Sequence, residues 1–352
     1  MGKLAVFKYV AAMFLVIQII ASVFTFIGLF GGDVSPIGHS ARAMLVYALP
    51  LLIIANGLLL IYWLVRRRWF FALIPVVTIA CCIPYIGTLY QFRSLNKGSD
   101  AKEGLKIASY NVAMFGRETS GFKALDILAE IRRQKVDVLC MQEYNEFSGD
   151  KKNSESYKEF FPYMQKGRED MVIFSRYPIK GSKTILFDDT NNSAMWADVE
   201  VNGQEYRIFN VHLQTTGISR TMHQAEKLKM YQDYDVSKSR ILNAIYGNYT
   251  LGMIFRAQQA ITVANEKRSS EKPCIVCGDF NDVPYSFVYN TMLGNMVDGF
   301  KECGSGFMYT FRGAKAVRID YIFHDQSLKG LSYYRGELTN SDHYPVFMKI
   351  AF

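Results

Sequence analysis

Between a few basic clusters, charge is what the first ninety residues lack. The stretches YVAAMFLVIQIIASVFTFIGLF (9–30), AMLVYALPLLIIANGLLLIYWLV (43–65) and FFALIPVVTIACCIPYIGTLY (70–90) contain no Lys, Arg, Asp or Glu. A helix on a soluble core is usually shorter and keeps a polar face, so that reading is set aside. Each stretch suffices to cross roughly 30 Å of hydrocarbon, which takes about 20 residues. Three transmembrane helices are therefore expected over residues 1–90. No A-x-A-like site closes the first stretch, which argues against a cleaved leader. Val6 stands where a myristoylation signal needs Ser or Thr. With no Lys, Arg, His, Asp or Glu inside them, the spans read as an anchor and not as a transport path.

Two further scarcities narrow the function. Cys274 and Cys277 have C-x-x-C spacing, but no second such pair or His pair completes a zinc site. In the run PCIVCGDF they read as buried thiols on a strand. Basic charge is also thin where a polyanion would need it. Of the net +8, residues 1–100 hold +6 (eight basic, two acidic), which leaves +2 for the rest. That balance lacks the broad basic footprint of a protein that grips a long nucleic acid.

The basic residues that are present orient the anchor. Arg66, Arg67 and Arg68 fill the loop between the second and third stretches, and Lys3 and Lys8 precede the first. The positive-inside tendency places both on the cytoplasmic side. The loop at 31–42, with Arg42 alone, is then outside, and so is everything after residue 90. The chain after the anchor is expected to be extracytoplasmic, which in a Gram-negative cell is the periplasm.

Residues 91–104 are polar with Gly and Ser and read as a linker, followed by a soluble domain over 105–352. LKIASYNV, VDVLCMQEY, DMVIFSRYPI, SAMWADVEV, EYRIFNVHLQ, CIVCGDF, RIDYIFHD and YPVFMKIAF read as strands. Phe122, Leu125, Ile127, Leu128 and Ile131 have the spacing of an amphipathic helix over 122–134. Many short strands with few helices imply two packed sheets with helices outside. Polar residues close several of these apolar strands: Asn111, Glu143, His212, Asp279, Asn281, Asp320, Asp342 and His343. Taken singly, each fits a turn or a cap.

Together they form a pattern. S-Y-N (109–111), Q-E (142–143), N-V-H-L (210–213), G-D-F-N (278–281), I-D-Y-I-F (319–323) and S-D-H-Y-P-V (341–346) follow one another in order. This succession resembles the endonuclease/exonuclease/phosphatase superfamily across 105–352, and the G-D-F-N and S-D-H-x-P-V pair is its most specific part. The resemblance implies an α/β fold, a four-layer sandwich of two mixed sheets flanked by helices, with a site at one end. It implies a metal-dependent phosphoric ester hydrolase using Mg²⁺ or Mn²⁺, held by Glu143 with Asn111 and Asp342. A hard cation suits such oxygen ligands. It further implies His343 as general base oriented by Asp320, Asp279 positioning the attacking water, Asn281 donating to a phosphoryl oxygen, and His212 acting on the phosphate or leaving group. Whether Asp279 or His343 takes the proton stays open. The residues after Asn111 are Val112, Ala113 and Met114, so the acid that some members carry two positions on is missing and a second metal there is in doubt.

An anchor beside a weakly charged domain fits a phosphodiester in a phospholipid or sphingomyelin headgroup. A nuclease acting on extracytoplasmic nucleic acid is the alternative within the family, and a non-catalytic binding module on a membrane tether is the alternative outside it. Residues 217–252 exceed what a simple strand–helix–strand connection needs. They begin just after His212 and read as an insertion, either an ordinary packed helical excursion or a lid or headgroup-contacting surface that overhangs the site.

Overall fold

The computed structural model describes residues 3–94, 103–116, 122–144, 151–168, 170–188, 190–215, 238–313 and 316–351. The expected linker therefore lies largely outside the described residues, as does the 217–237 part of the expected insertion. The chain divides into two compact units: 1–88 with 283–290, and 89–282 with 291–352.

The first unit is helical: α1 (Lys3–Leu29), α2 (Ser40–Met44), α3 (Leu49–Val65), α4 (Trp69–Cys81) and α5 (Ile83–Leu89). Two runs, Phe7–Asp33 and Ser40–Val65, are long and apolar enough to cross a bilayer. The third stretch, expected as one span over 70–90, is a helix pair bent by 47°. The cause is local. Pro84 supplies no backbone N–H and disfavours helical geometry at Ile83 before it, and Cys82 opens to ψ −7° where α4 stops. Only if the bent pair crosses as one does the count reach three. Large apolar side chains such as Leu51, Val65 and Phe70 are exposed, while polar ones turn inward. Gln18 Nε2 donates to Asn56 Oδ1 at 2.8 Å, Asn56 Nδ2 to Thr25 Oγ1 at 3.0 Å, and Thr78 Oγ1 to Ser22 Oγ at 3.0 Å. These bonds tie α1, α3 and α4 together.

The second unit begins with β1 (Tyr90–Gln91) and continues through β2 (Leu105–Asn111), α6 (Ala113–Gly116), α7 (Phe122–Arg133), β3 (Val138–Gln142), α8 (Lys151–Phe160), β4 (Tyr163–Lys166), β5 (Val172–Ser175), β6 (Ile179–Leu186), β7 (Ser193–Val201) and β8 (Gln204–His212). It ends with α9 (Lys238–Arg268), β9 (Cys274–Asp279), α10 (Phe287–Leu293, of which 287–290 fall to the first unit), β10 (Val297–Asp298), α11 (Gly299–Cys303), β11 (Gly306–Phe307), β12 (Asp320–His324), β13 (Lys329–Arg335) and β14 (Val346–Ala351). Residues 238–252, expected within an insertion, are the first turns of α9, a single helix of 31 residues.

Two six-stranded sheets form, ordered β10-β12-β9-β8-β7-β6 and β13-β14-β2-β3-β5-β4. Each has one parallel pair at its centre, β8–β9 in the first and β2–β3 in the second, with antiparallel strands outward. The eight strands expected from the sequence are all present. Central strands such as β2 and β9 are buried along their whole length, which is why their sequences read as nearly continuous apolar runs. Ile107, Cys140 and Ile173 meet Met195, Ile208, Cys277 and Ile322 between the sheets. On the outer face of the second sheet, Tyr110, Leu139 and Phe174 pack on Ile127, Ile131 and Tyr157 of the helices. Glu266 of α9 accepts from Lys183 Nζ and Trp196 Nε1 of the first sheet. This is the expected sandwich of four layers.

A buried ion pair fastens the region just before the Asp320 strand. Arg318 donates to both oxygens of Asp298, at 2.8 and 2.6 Å, and its guanidinium lies 4.9 and 4.7 Å from the Phe300 and Tyr321 rings. Removing one partner strands the other charge. Asp298→Ala is expected to cost about 3–5 kcal/mol, read as a lowered midpoint in denaturant unfolding of the detergent-solubilised chain. A loss under about 1 kcal/mol, the range of an exposed pair, would contradict this.

Candidate active site

The topology gathers the polar strand ends. Asn111, Gln142, His212 and Asp279 are the last residues of β2, β3, β8 and β9, the two parallel pairs. Antiparallel neighbours bring their opposite termini to the same end. Asp320, the first residue of β12, is in register with Asp279, which is in register with His212 on its other side. His343 precedes β14, which runs antiparallel to β2. The Gly of G-D-F-N has a steric reason. Gly278 has φ +140°, and a Cβ there would lie 1.9 Å from the Val211 carbonyl oxygen, so only glycine lets β9 run this close to β8. Glu143 (φ 50°) and Asn281 (φ 52°) are left-handed, a region non-glycine residues enter infrequently, and both turns aim side chains at the site.

Asp279 is the hub. Its Oδ2 accepts from Asn111 Nδ2 at 3.1 Å and Asn281 Nδ2 at 3.2 Å, and its Oδ1 from the Asn281 backbone N–H at 2.8 Å. His343 Nε2 faces Oδ2 at 3.7 Å. The other ring nitrogen, Nδ1, lies 2.9 Å from Asp320 Oδ2. Asn111 Nδ2 also reaches Glu143 Oε1 at 3.2 Å. His212 Nε2 stands 3.8 Å from that same oxygen. Asn111, Asp279, Asp320, His212 and His343 are buried, whereas the Glu143 side chain keeps 36% exposure.

This density of carboxylates perturbs the titrations. Burial raises the Asp279 carboxyl to about 6, against the pull of His343 and with a further push from Asp320. Burial by itself would keep His343 neutral, but Asp320 and Asp279 outweigh it and hold the imidazole up at about 10. His212 is raised for the same kind of reason: burial opposes its charge, and the Asp170 hydrogen bond with the Asp279 and Glu143 carboxylates more than offsets that.

The eight residues expected from the sequence are not equally placed. Seven share one hydrogen-bonded or ion-paired group. Asp342 stands exposed, its Oδ1 3.3 Å from the Ser341 hydroxyl. Asn281 differs from its expected role as a free amide donor, because Nδ2 is directed to Leu213 O at 2.9 Å and to Asp279. As placed, it positions Asp279. The Glu143 and Asp279 carboxylates, joined by the Asn111 Nδ2 while Asn111 Oδ1 accepts from the Ala113 backbone N–H at 3.0 Å, suit a hard divalent cation. Among the described residues, Asp279, Asp320 and His343 also offer ligand atoms all within 4.8 Å of one another, but the imidazole there is already paired on both sides.

Sequence reasoning missed Asp170. Its Oδ2 lies 3.0 Å from His212 Nδ1, so His212 has a carboxylate partner as His343 does. The only signal was an acid opening an apolar strand. It also gave no role to Ser109, Gln142, Asn210 and Ser341 of its own motifs, or to Thr310 outside them. Gln142 Nε2 donates to Asn210 Oδ1 at 2.6 Å and Ser109 Oγ at 3.2 Å, while Asn210 Nδ2 donates to the Met141 and Val172 carbonyls. These bonds join the two sheets beneath the site. Ser341 Oγ donates to Asn111 O at 2.8 Å and accepts from His343 N at 3.1 Å. Thr310 Oγ1 accepts from Asp320 N at 3.0 Å.

The model of the endonuclease/exonuclease/phosphatase family matches residues 108–343, and the chain belongs to that family, whose members are phosphoesterases. Residues 11–89 match a separate family described only as a domain of unknown function. The curated proteins gave no match. Solved structures with similar folds include a mannosyl-6-phosphatase of Bacteroides thetaiotaomicron, at 19% identity and TM-score 0.48 over 70% of this chain and 100% of that one. A humanized D. rerio TDP2 aligns at 18% identity and TM-score 0.49 over 70% and 99%. A beta toxin of Staphylococcus aureus with bound magnesium ions aligns at 18% and 0.48 over 70% and 99%.

Asp170→Ala removes the carboxylate that orients His212 and leaves the fold's strands untouched. The expected result is a turnover about tenfold to a hundredfold lower, toward the lower end of what a positioned proton-transfer group contributes, with the circular dichroism spectrum unchanged. Full activity would show that the pair is structural only.

Proposed function

We propose that this chain is a membrane-anchored, Mg²⁺- or Mn²⁺-dependent phosphodiesterase that hydrolyses a headgroup phosphodiester of a phospholipid or sphingomyelin. The observation that carries the reading is the Asp279 hub, with two carboxylate-paired imidazoles and the Glu143 carboxylate facing one space. Support for the anchor is the pair of apolar helices. The distribution of basic residues around them favours an extracytoplasmic second unit.

Glu143 and Asn111 would hold the metal, with Asp342 adding negative field nearby. When bound, the cation neutralises charge on the phosphoryl oxygens and on the leaving oxygen. The residues do the rest. His343 Nε2 and Asp279 Oδ2 lie 3.7 Å apart, so a water bonded to one is within reach of the other. As that water attacks phosphorus, its proton passes into this pair. Asp320 fixes the imidazole ring and stabilises its charged form. Asn111 and Asn281 hold Asp279 in place. His212 Nε2, with Asp170 behind Nδ1, presents an N–H to the phosphate or to the departing oxygen.

The test uses the full chain in liposomes with Mg²⁺, offered sphingomyelin, DNA and an inositol phosphate side by side. Metal-dependent release of phosphocholine is expected, lost on chelation, and lowered about 10²–10⁴-fold in His343→Ala. Glu143→Gln is expected to raise the Mg²⁺ concentration needed for half-maximal rate. Cleavage of DNA alone would make the protein a tethered nuclease. Silence on every phosphoester, with the fold intact, would favour a binding module.

A further inference from the structure

Helix α9 sends two side chains under the active site. Arg256 is fully buried, and its Nε donates to Asp282 Oδ2 at 3.2 Å while Nη1 donates to the Gln214 carbonyl at 3.1 Å. One turn on, Gln259 Oε1 accepts from the Gln214 backbone N–H at 2.8 Å. Both peptide groups of Gln214 are thus held by one helix. Gln214 follows His212 by two residues, and Asp282 follows Asn281 directly. Between them, Leu213 N donates to Asp279 O at 3.0 Å and Leu213 O accepts from Asn281 Nδ2 at 2.9 Å. Arg256 therefore spans the two loops that carry His212 on one side and Asp279 with Asn281 on the other. The Tyr321 hydroxyl donates to Asp282 O at 2.9 Å and fixes the far end of that span to β12.

Stability does not account for a guanidinium here. A buried ion pair is often no better than apolar side chains of the same volume. A planar fork with donors in fixed directions does something an apolar residue cannot: it sets a separation. It is also mounted on a rigid element, since Met253, Ala257, Ala260, Val263 and Ala264 of the same helix are buried around it. Side chains that must be held to within a fraction of an ångström are best supported in this way.

We propose that Arg256 and Gln259 are positioning residues that fix the distance between His212 and the Asp279–Asn281 turn. This rests on phosphoester hydrolysis at that site. Neither residue takes part in the chemistry; both act through His212 and Asp279.

The test avoids Arg256→Ala, which would leave Asp282 buried and alone. Arg256→Lys keeps the charge but loses the fork. Gln259→Leu removes only the acceptor for Gln214. With the full chain in detergent, Mg²⁺ and bis(p-nitrophenyl) phosphate, each is expected to lower kcat about tenfold to a hundredfold, the scale of a small misplacement of reacting groups, with KM little changed. The same substitutions in a His212→Ala background are expected to cost less than threefold. In protein labelled at the histidine rings, Gln259→Leu is expected to move the His212 Cε1–H resonance and leave that of His324, at the opposite end of β12, in place. Equal losses in both backgrounds, or an unmoved His212 resonance, would reduce Arg256 and Gln259 to packing. If the parent chain hydrolyses no phosphoester, the functional reading fails, and the resonance alone decides the positioning role.

Discussion

A single hydrogen bond between the two sheets organises the active end of this protein. Asn111 closes the central strand of one sheet and donates to Asp279, which closes the central strand of the other, at 3.1 Å. The other polar strand ends are arranged around that contact. Glu143 is reached by the same Asn111 amide, His343 faces the same Asp279 oxygen, and Asn281 folds back on it. Below it, Gln142 and Asn210 repeat the linkage between the layers with fully buried amides. A buried amide left unpaired is costly, so these bonds make the relative register of the two sheets hard to shift. The separation of these side chains is thereby set by the sandwich itself.

The cost of this arrangement is concentrated negative charge away from water. Asp279 and Asp320 sit in register on adjacent strands, where like charges repel. His343, placed against both, offsets much of that repulsion, and against the effect of burial the two carboxylates raise its proton affinity. The Asp170–His212 pair offsets more on the other side. Beside two carboxylate–imidazole pairs that flank one buried acid, Glu143 stays partly open to solvent, as the proposed place for an added cation. The site's charge balance and the proposed metal binding thus have one origin.

The helical unit solves a different problem with the same means. Its outward apolar side chains suit hydrocarbon, where helices gain little from burying one another. Small polar residues then carry the specificity. Gln18, Ser22, Thr25, Asn56 and Thr78 form one network across α1, α3 and α4. Both units rely on buried amides and hydroxyls to fix geometry, one in water and one suited to lipid.

Much was legible in the order of residues. Strands buried on both faces announce themselves as apolar runs, and the polar residues that interrupt them could stand only at strand ends, so Asn111, Glu143, His212, Asp279, Asp320 and His343 were visible as a set. The same was true of the apolar segments, whose lack of charge is a matter of composition. The bend at Pro84 lay within reach of local sterics but was masked by the length of the run. Other features depended on which distant strands meet. Asp170 looks like any turn acid until the packing of the two sheets brings the start of β5 to His212 at the end of β8. Asn281 looks like a free donor until Leu213 and Asp279 occupy it. Arg256 sits in a helix with no motif of its own, 26 residues before Asp282. Hydrophobic period and strand-end chemistry are local properties that a sequence carries along its length; the partner of a buried charge is chosen only when the layers close.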